Sequence, residues 1–321
     1  MTKSKKLLPL YKKQGAFALE ILCWSACFLM GIRYADQIKL AMLDTLCFCA
    51  RTLVPTLFPY MILSSLLMKM ISSAQRNADV DPAKKGKGAL LPCAFSFLSG
   101  VLCGFPIGAQ ASIDLYNENK ISSIELKKLF PLCNQCSLAF VTLGIGKEML
   151  GSIRLGFALY TVMIVSALLV YILLPDGKGE KQASMINKET APSRHFVVIV
   201  RDATLATLYT VGFLLLFSIP IALIKHLCQS TSLRLILTLA LEFTGACRTA
   251  LEVLAPSSPL LLPTLAFILS FGGICVGMQS ELIVRQTRIG MRSYYLRKLL
   301  QGLFAFAITL LLSLLYRHFT N

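Results

Sequence analysis

Along this chain, apolar runs of membrane-core length alternate with short polar joints rich in lysine and arginine, and two of the runs are interrupted halfway. The uninterrupted runs Gly15 to Ile32, Leu53 to Ile71, Leu155 to Leu174, Leu205 to Ile224 and Leu299 to Tyr316 come near the roughly 20 residues that a membrane helix needs. Leu260 to Gln279 does too, although Ser270-Phe271-Gly272-Gly273 sits in its middle. Leu129 to Ile145 carries Pro131, Asn134, Gln135, Ser137 and Thr142, polar side chains that lipid penalises and that are expected to face the protein interior.

The first interrupted stretch is Ala89 to Asn119, where Ser99-Gly100, Gly104, Phe105-Pro106 and Gly108 break the apolar pattern after about half a span. Glycine weakens a helix and proline removes a backbone donor, so the freed N–H and C=O groups need partners that lipid cannot supply. Non-helical backbone at that depth is tolerated where it is buried in protein or lines a wet cavity. The second interruption is Glu242-Phe243-Thr244-Gly245-Ala246, within Leu233 to Leu254. Against both stands the plainer reading that small residues at such spacing mark only a helix-packing face.

Loop charges arbitrate the topology. If Ala89 to Asn119 crossed completely, Lys120, Lys127, Lys128, Lys178, Lys181, Lys188, Arg194 and Arg201 would all lie outside. A re-entrant hairpin keeps them on the cytoplasmic side and satisfies more of the positive-inside bias. The returning half, Ala109 to Asn119, is amphipathic, and Ser122-x-x-Glu125 has capping-box spacing at the start of the next helix. Span, hairpin, polar span and span then occur twice, the hairpins opening from opposite sides, which is the layout of inverted-repeat secondary transporters.

The domain organisation follows: residues 1–52 form an N-terminal span and an interfacial helix, 53–175 a first repeat with its hairpin at 89–119, 176–202 a cytoplasmic linker, and 203–321 a second, inverted repeat with its hairpin at 233–254. The lysines of Met1 to Lys13 precede an apolar run that no A-x-A site follows, so the first span is read as retained, with Glu20 inside it. Arg33 to Arg51 reads as an amphipathic interfacial helix, and the loop Glu281 to Lys298 as cytoplasmic.

Composition agrees. Of 321 residues 55% are hydrophobic and 15% charged, and the mean hydropathy of +0.68 is that of an all-α polytopic membrane protein. The 32 Lys and Arg against 16 Asp and Glu would suggest nucleic acid in a soluble protein, but here they sit in short loops, so no nucleic-acid partner is expected. Most of the 11 cysteines lie in apolar runs as small apolar side chains, and Cys133-x-x-Cys136 lacks a second pair or a nearby histidine, so no metal is expected. No catalytic constellation and no P-loop is present, so the expectation is a protein that is not an enzyme and has no cofactor.

A half-helix starting at a tip within the membrane presents unsatisfied N–H groups and the positive end of its dipole, so two converging tips favour a small carboxylate or similar anion. The candidate substrate-binding residues are Ser99, Gly100, Gly104, Gly108 and Gln110 in the first hairpin and Asn134 and Gln135 on the adjacent span. In the second half they are Glu242, Thr244 and Gly245 of the hairpin and Ser270, Gly272 and Gly273 of the following span. Glu242 is the sharpest, since an acidic residue at membrane depth carries protons or ions, or contacts substrate. Arg248 has the spacing to pair with Glu252 at i,i+4.

SFLSGVLCGFPIGAQ, NQCS, LEFTGA and SFGGICVGMQS, in that order and preceded by LVPTLFPYMILSSLL, resemble the motifs of the YlbJ-type sporulation integral membrane proteins with nucleoside-recognition (Gate) domains. The resemblance runs from about Leu53 to Gln279. It implies a fold similar to concentrative nucleoside transporters and a role in moving dipicolinate from the mother cell across the outer forespore membrane. NQCS departs from a more regular Asn-Ser type motif, which leaves a nucleoside or other small-solute carrier, and a non-transporting role in assembly or signalling, as alternatives. The lipid bilayer is the expected surrounding, with a proton or sodium ion as the coupling ion of a carrier; homo-oligomer formation is left open.

Overall fold

A computed structural model describes residues 25, 28–78, 90–118, 120–174, 196–287 and 289–320. The amino-terminal lysines, Glu20, nearly all of the joint after residue 78 and the linker at 175–194 lie outside the described residues. Within them the chain is helical and contains no strand. Among the described residues, five stretches are long and apolar enough to cross a membrane: Ala35–Leu63, Ile153–Leu173, Phe196–Leu227, Leu261–Val284 and Arg292–Tyr316.

Helix α1 (Ala35–Phe48) runs through a π-helical turn (Cys49–Leu53) directly into α2 (Val54–Ala78). The expected interfacial helix at Arg33 to Arg51 is thus the first part of a continuous rod. Pro55 has no N–H for the Arg51 carbonyl, and the wider π turn lies where that bond is missing. Next comes a helix–break–helix unit, α3 (Leu90–Cys103) and α4 (Ile107–Asn117), whose limbs pack on each other. At about 1.5 Å per residue the limbs are roughly 21 and 16 Å long, short of the ~30 Å hydrocarbon core. Helix α5 (Ser123–Cys133) starts with the expected capping box: Glu125 N–H donates to Ser122 Oγ (3.2 Å) and Ser122 N–H to Glu125 Oε2 (2.7 Å). It stops at Cys133, and Asn134 to Ser137 is non-helical. A π-helical segment (Phe140–Met149) and α6 (Ile153–Leu173) complete the first half.

The second half repeats this order. The long α7 (Phe196–Leu227) precedes a second helix–break–helix unit, α8 (Thr231–Leu241) and α9 (Phe243–Val253), whose limbs again pack together. A span broken in the middle follows, α10 (Leu261–Phe271) and α11 (Gly273–Val284), and then α12 (Arg292–Thr320). Helix α12 packs on α10 within its own half and on α6 of the other, while α7 packs on α1 and α2, so the halves interlock. The main core joins Phe105, Phe140, Leu159 and Met163 of the first half to Phe243, Ala246, Leu265 and Val276 of the second.

Candidate functional site

Each helix–break–helix tip is held by the break in the span that follows it. At the first tip, Gly104 has a φ of 79°, in the region that favours glycine, and a Cβ there would lie 2.6 Å from the Ser137 nitrogen. Phe105 N–H donates to the Gln135 carbonyl (2.8 Å), a bond open only because residues 134–137 are unwound. The Val101 carbonyl, left without the helical donor that Phe105 would have been, accepts from the Tyr160 hydroxyl. Gly100 and Gly108 face each other across the unit, and a Cβ on either would run into the Cys133 carbonyl.

At the second tip, Gly272 and Gly273 have φ of 79° and 77°, and they break the span between α10 and α11. A Cβ on Gly273 would lie 2.9 Å from the Leu241 carbonyl oxygen, so this break is seated against the end of α8. The two tips meet through aromatic rings. Phe105 and Phe243 are edge to face with centroids 5.6 Å apart, and Phe243 and Phe140 likewise at 5.5 Å. The small cavity beside these rings, also lined by Ser137, Thr210 and Gln279, has room of about 10 Å³, roughly what one water requires.

Glu242 is the N-cap of α9 and is 3% exposed. Its Oε1 accepts from Thr244 N–H (2.6 Å) and from Thr244 Oγ1 (2.5 Å), and its Oε2 from Gly245 N–H (2.7 Å). The expectation of bare amides at this tip is therefore corrected: the chain's own carboxylate occupies them, as helix N-termini favour. The first tip has no side-chain cap. Arg248 does not pair with Glu252; it lies over the Phe48 ring, 4.5 Å from the centroid, and Lys225 Nζ bonds Glu252 Oε1 at 2.8 Å.

Asn134 and Gln135 are buried, as their inward placement requires, at 1% and 0% exposure. Asn134 Nδ2 donates to Ser280 Oγ (2.6 Å) on α11 and to Tyr294 Oη (2.7 Å) on α12. Gln135 and Gln301 form an amide pair, with Gln301 Nε2 donating to Gln135 Oε1 at 2.7 Å. Between them lies Lys298, 2% exposed, whose Nζ donates to Gln301 Oε1 (2.8 Å), the Asn134 carbonyl (3.1 Å) and Gln135 Oε1 (3.4 Å). The sequence had ended the cytoplasmic loop at Lys298. Instead α12 begins at Arg292, so Lys298 and Gln301 share one inward face at i,i+3.

Ser99, Gln110 and Ser270 make no hydrogen bond to the opposite tip among the described residues. Ser99 Oγ donates to the Ser96 carbonyl of its own helix, beside an apolar pocket lined by Leu98, Leu102, Leu143 and Phe157. Gln110 Nε2 donates to Asp114 Oδ1 (2.9 Å), and the Ser270 hydroxyl is buried with no hydrogen-bond partner among the described residues. Phe105, Phe243, Lys298, Gln301, Ser280 and Tyr294 were absent from the candidates. The two phenylalanines stand inside the break motifs, so position could have flagged them; the α12 residues carry no comparable signal.

Buried polar groups on broken helices, enclosed by helices of spanning length, define a multi-pass integral membrane protein. The chain is similar to the sporulation integral membrane protein YlbJ of Bacillus subtilis (strain 168), at 23% identity over a 304-residue alignment covering 80% of this chain and 73% of that protein. No family model matches the chain, and no solved structure matches it.

Proposed function

We propose that this protein is a membrane carrier of a small carboxylate, and that the carried solute is dipicolinate, moved from the mother cell across the outer forespore membrane during sporulation. The two helix–break–helix units are then re-entrant hairpins dipping from opposite faces, in inverted repeats similar to those of concentrative nucleoside transporters. The observation that carries this reading is the contact of the two tips at Phe105 and Phe243, each seated on the break of the next span. Backbone unwound at four places inside a membrane protein is expected where a polar solute passes. The small volume at the tips fits a closed state, from which the solute site opens when the tips part. The sporulation role rests on the likeness to YlbJ.

Uptake of labelled dipicolinate into proteoliposomes of the purified protein, with and without a proton or sodium gradient, tests the proposal. Saturable uptake, competed by unlabelled dipicolinate and not by nucleosides, is the expected result. Uptake no faster than in protein-free vesicles under every gradient overturns the carrier reading, and competition by nucleosides alone overturns the choice of solute.

A further inference from the structure

Among the described residues, Glu242, Arg297 and Lys298 are the buried acidic and basic side chains, and Glu242 and Lys298 have unequal partners. Glu242 has three donors from its own helix end, all within 2.7 Å. Lys298 is as deeply buried, yet its three acceptors are one backbone carbonyl and two side-chain amides, all neutral. Among the described residues no carboxylate pairs with it. A buried ammonium without a counter-ion is expensive, and such groups inside membrane proteins belong to solute or ion pathways. A small cavity lined by Lys128, Tyr171, Arg297 and Gln301 adjoins this cluster, so further basic side chains border its approach.

We propose that Lys298 is the solute's counter-charge, binding a carboxylate of the carried anion in place of the amide oxygens of Gln135 and Gln301. The inference rests on the carrier reading and adds to it the residue that selects for charge. Neutral amide oxygens satisfy the ammonium's geometry without neutralising it, so a carboxylate displaces them at a gain. The Gln135–Gln301 pair closes on itself through its 2.7 Å bond and holds the site when the anion is absent. Lys298 thereby also supports the unwound segment, through the Asn134 carbonyl.

Equilibrium binding of labelled dipicolinate to the full-length protein in detergent micelles, with its neutral diamide as competitor, tests this. Lys298→Gln is expected to weaken dipicolinate binding by roughly tenfold to a hundredfold, the range of one charge-assisted bond, and to abolish the preference for diacid over diamide. Lys298→Arg keeps that preference. Gln301→Glu puts a carboxylate against Nζ within the protein; it is expected to leave the protein at least as heat-stable and to weaken dipicolinate binding by a similar factor, which a purely structural lysine would not produce. Undiminished affinity and preference in Lys298→Gln overturns the inference and leaves the carrier reading standing. If Lys298→Gln does not fold, undiminished binding in Gln301→Glu overturns it equally. Wild-type protein that binds neither dipicolinate nor other small carboxylates overturns both.

Discussion

Glu242→Gln separates a cap from a carrier of protons or solute. Its carboxylate receives two backbone N–H groups and one hydroxyl at 2.5 to 2.7 Å, and every partner is a donor. Glutamine keeps one acceptor oxygen and turns an NH₂ toward a buried donor on the other side. The loss combines an N-cap contribution of roughly 0.5–2 kcal/mol with the weakening of charge-assisted bonds worth about 1.5–3 kcal/mol each. Relief from burying a charge offsets part of this, leaving a destabilisation of about 2–4 kcal/mol. Aspartate ranks among the best N-caps, so Glu242→Asp loses about 1 kcal/mol, chiefly for the missing methylene. Unfolding of the purified protein in mixed micelles, followed by circular dichroism against denaturant, measures both. A Gln variant within ~0.5 kcal/mol of wild type, with the Asp variant the weaker of the two, would refute the capping role.

Other positions give sharper geometric tests. Gly100→Ala and Gly108→Ala push a Cβ into the Cys133 carbonyl and are each expected to destabilise by about 1–3 kcal/mol, read as a lower melting temperature in detergent. Gly273→Ala combines a φ of 77° with a Cβ 2.9 Å from the Leu241 carbonyl oxygen and is expected to lose about 2–4 kcal/mol, with the same readout. A double-mutant cycle of Phe105→Leu and Phe243→Leu is expected to give a coupling of about 0.5–1.5 kcal/mol in unfolding; a coupling near zero would mean that the tips do not lean on each other.

Three of the four breaks were legible in the sequence because breaking is a local act, whereas the one at Asn134 to Ser137 falls inside Leu129 to Ile145, which reads as a single span and is corrected by the structure. Gly104-Phe105-Pro106 and Gly272-Gly273 interrupt apolar periodicity where a left-handed backbone forbids a straight helix, and Glu242, in extended backbone, interrupts it as a carboxylate that caps the next helix. The burial of Asn134 and Gln135 was legible for the same reason, since lipid rejects their amides. Partner choice was not. Whether Glu242 caps its own helix or waits for a solute is decided by side-chain geometry over three residues, which hydropathy does not encode. Lys298 was misplaced because a lysine at the start of an apolar run has the same pattern whether it faces the loop or the interior. The face is set by α12 packing on α6 and α10, a tertiary fact.

The two halves share an order of elements and differ in how each break is satisfied, and that difference assigns the charges. The second break is a sharp one, two glycines in the left-handed region with helix resuming at once, and it leaves little backbone open. The first extends from Asn134 to Ser137 and frees carbonyls that need donors from elsewhere. Gln135 gives its carbonyl to the Phe105 amide and Asn134 gives its own to the Lys298 ammonium. A long opening can thus admit a charged donor where a tight glycine turn cannot. Glu242 belongs to the second tip, closed on its own helix, and Lys298 to the first break, held by neutral oxygens that the proposed anion would replace.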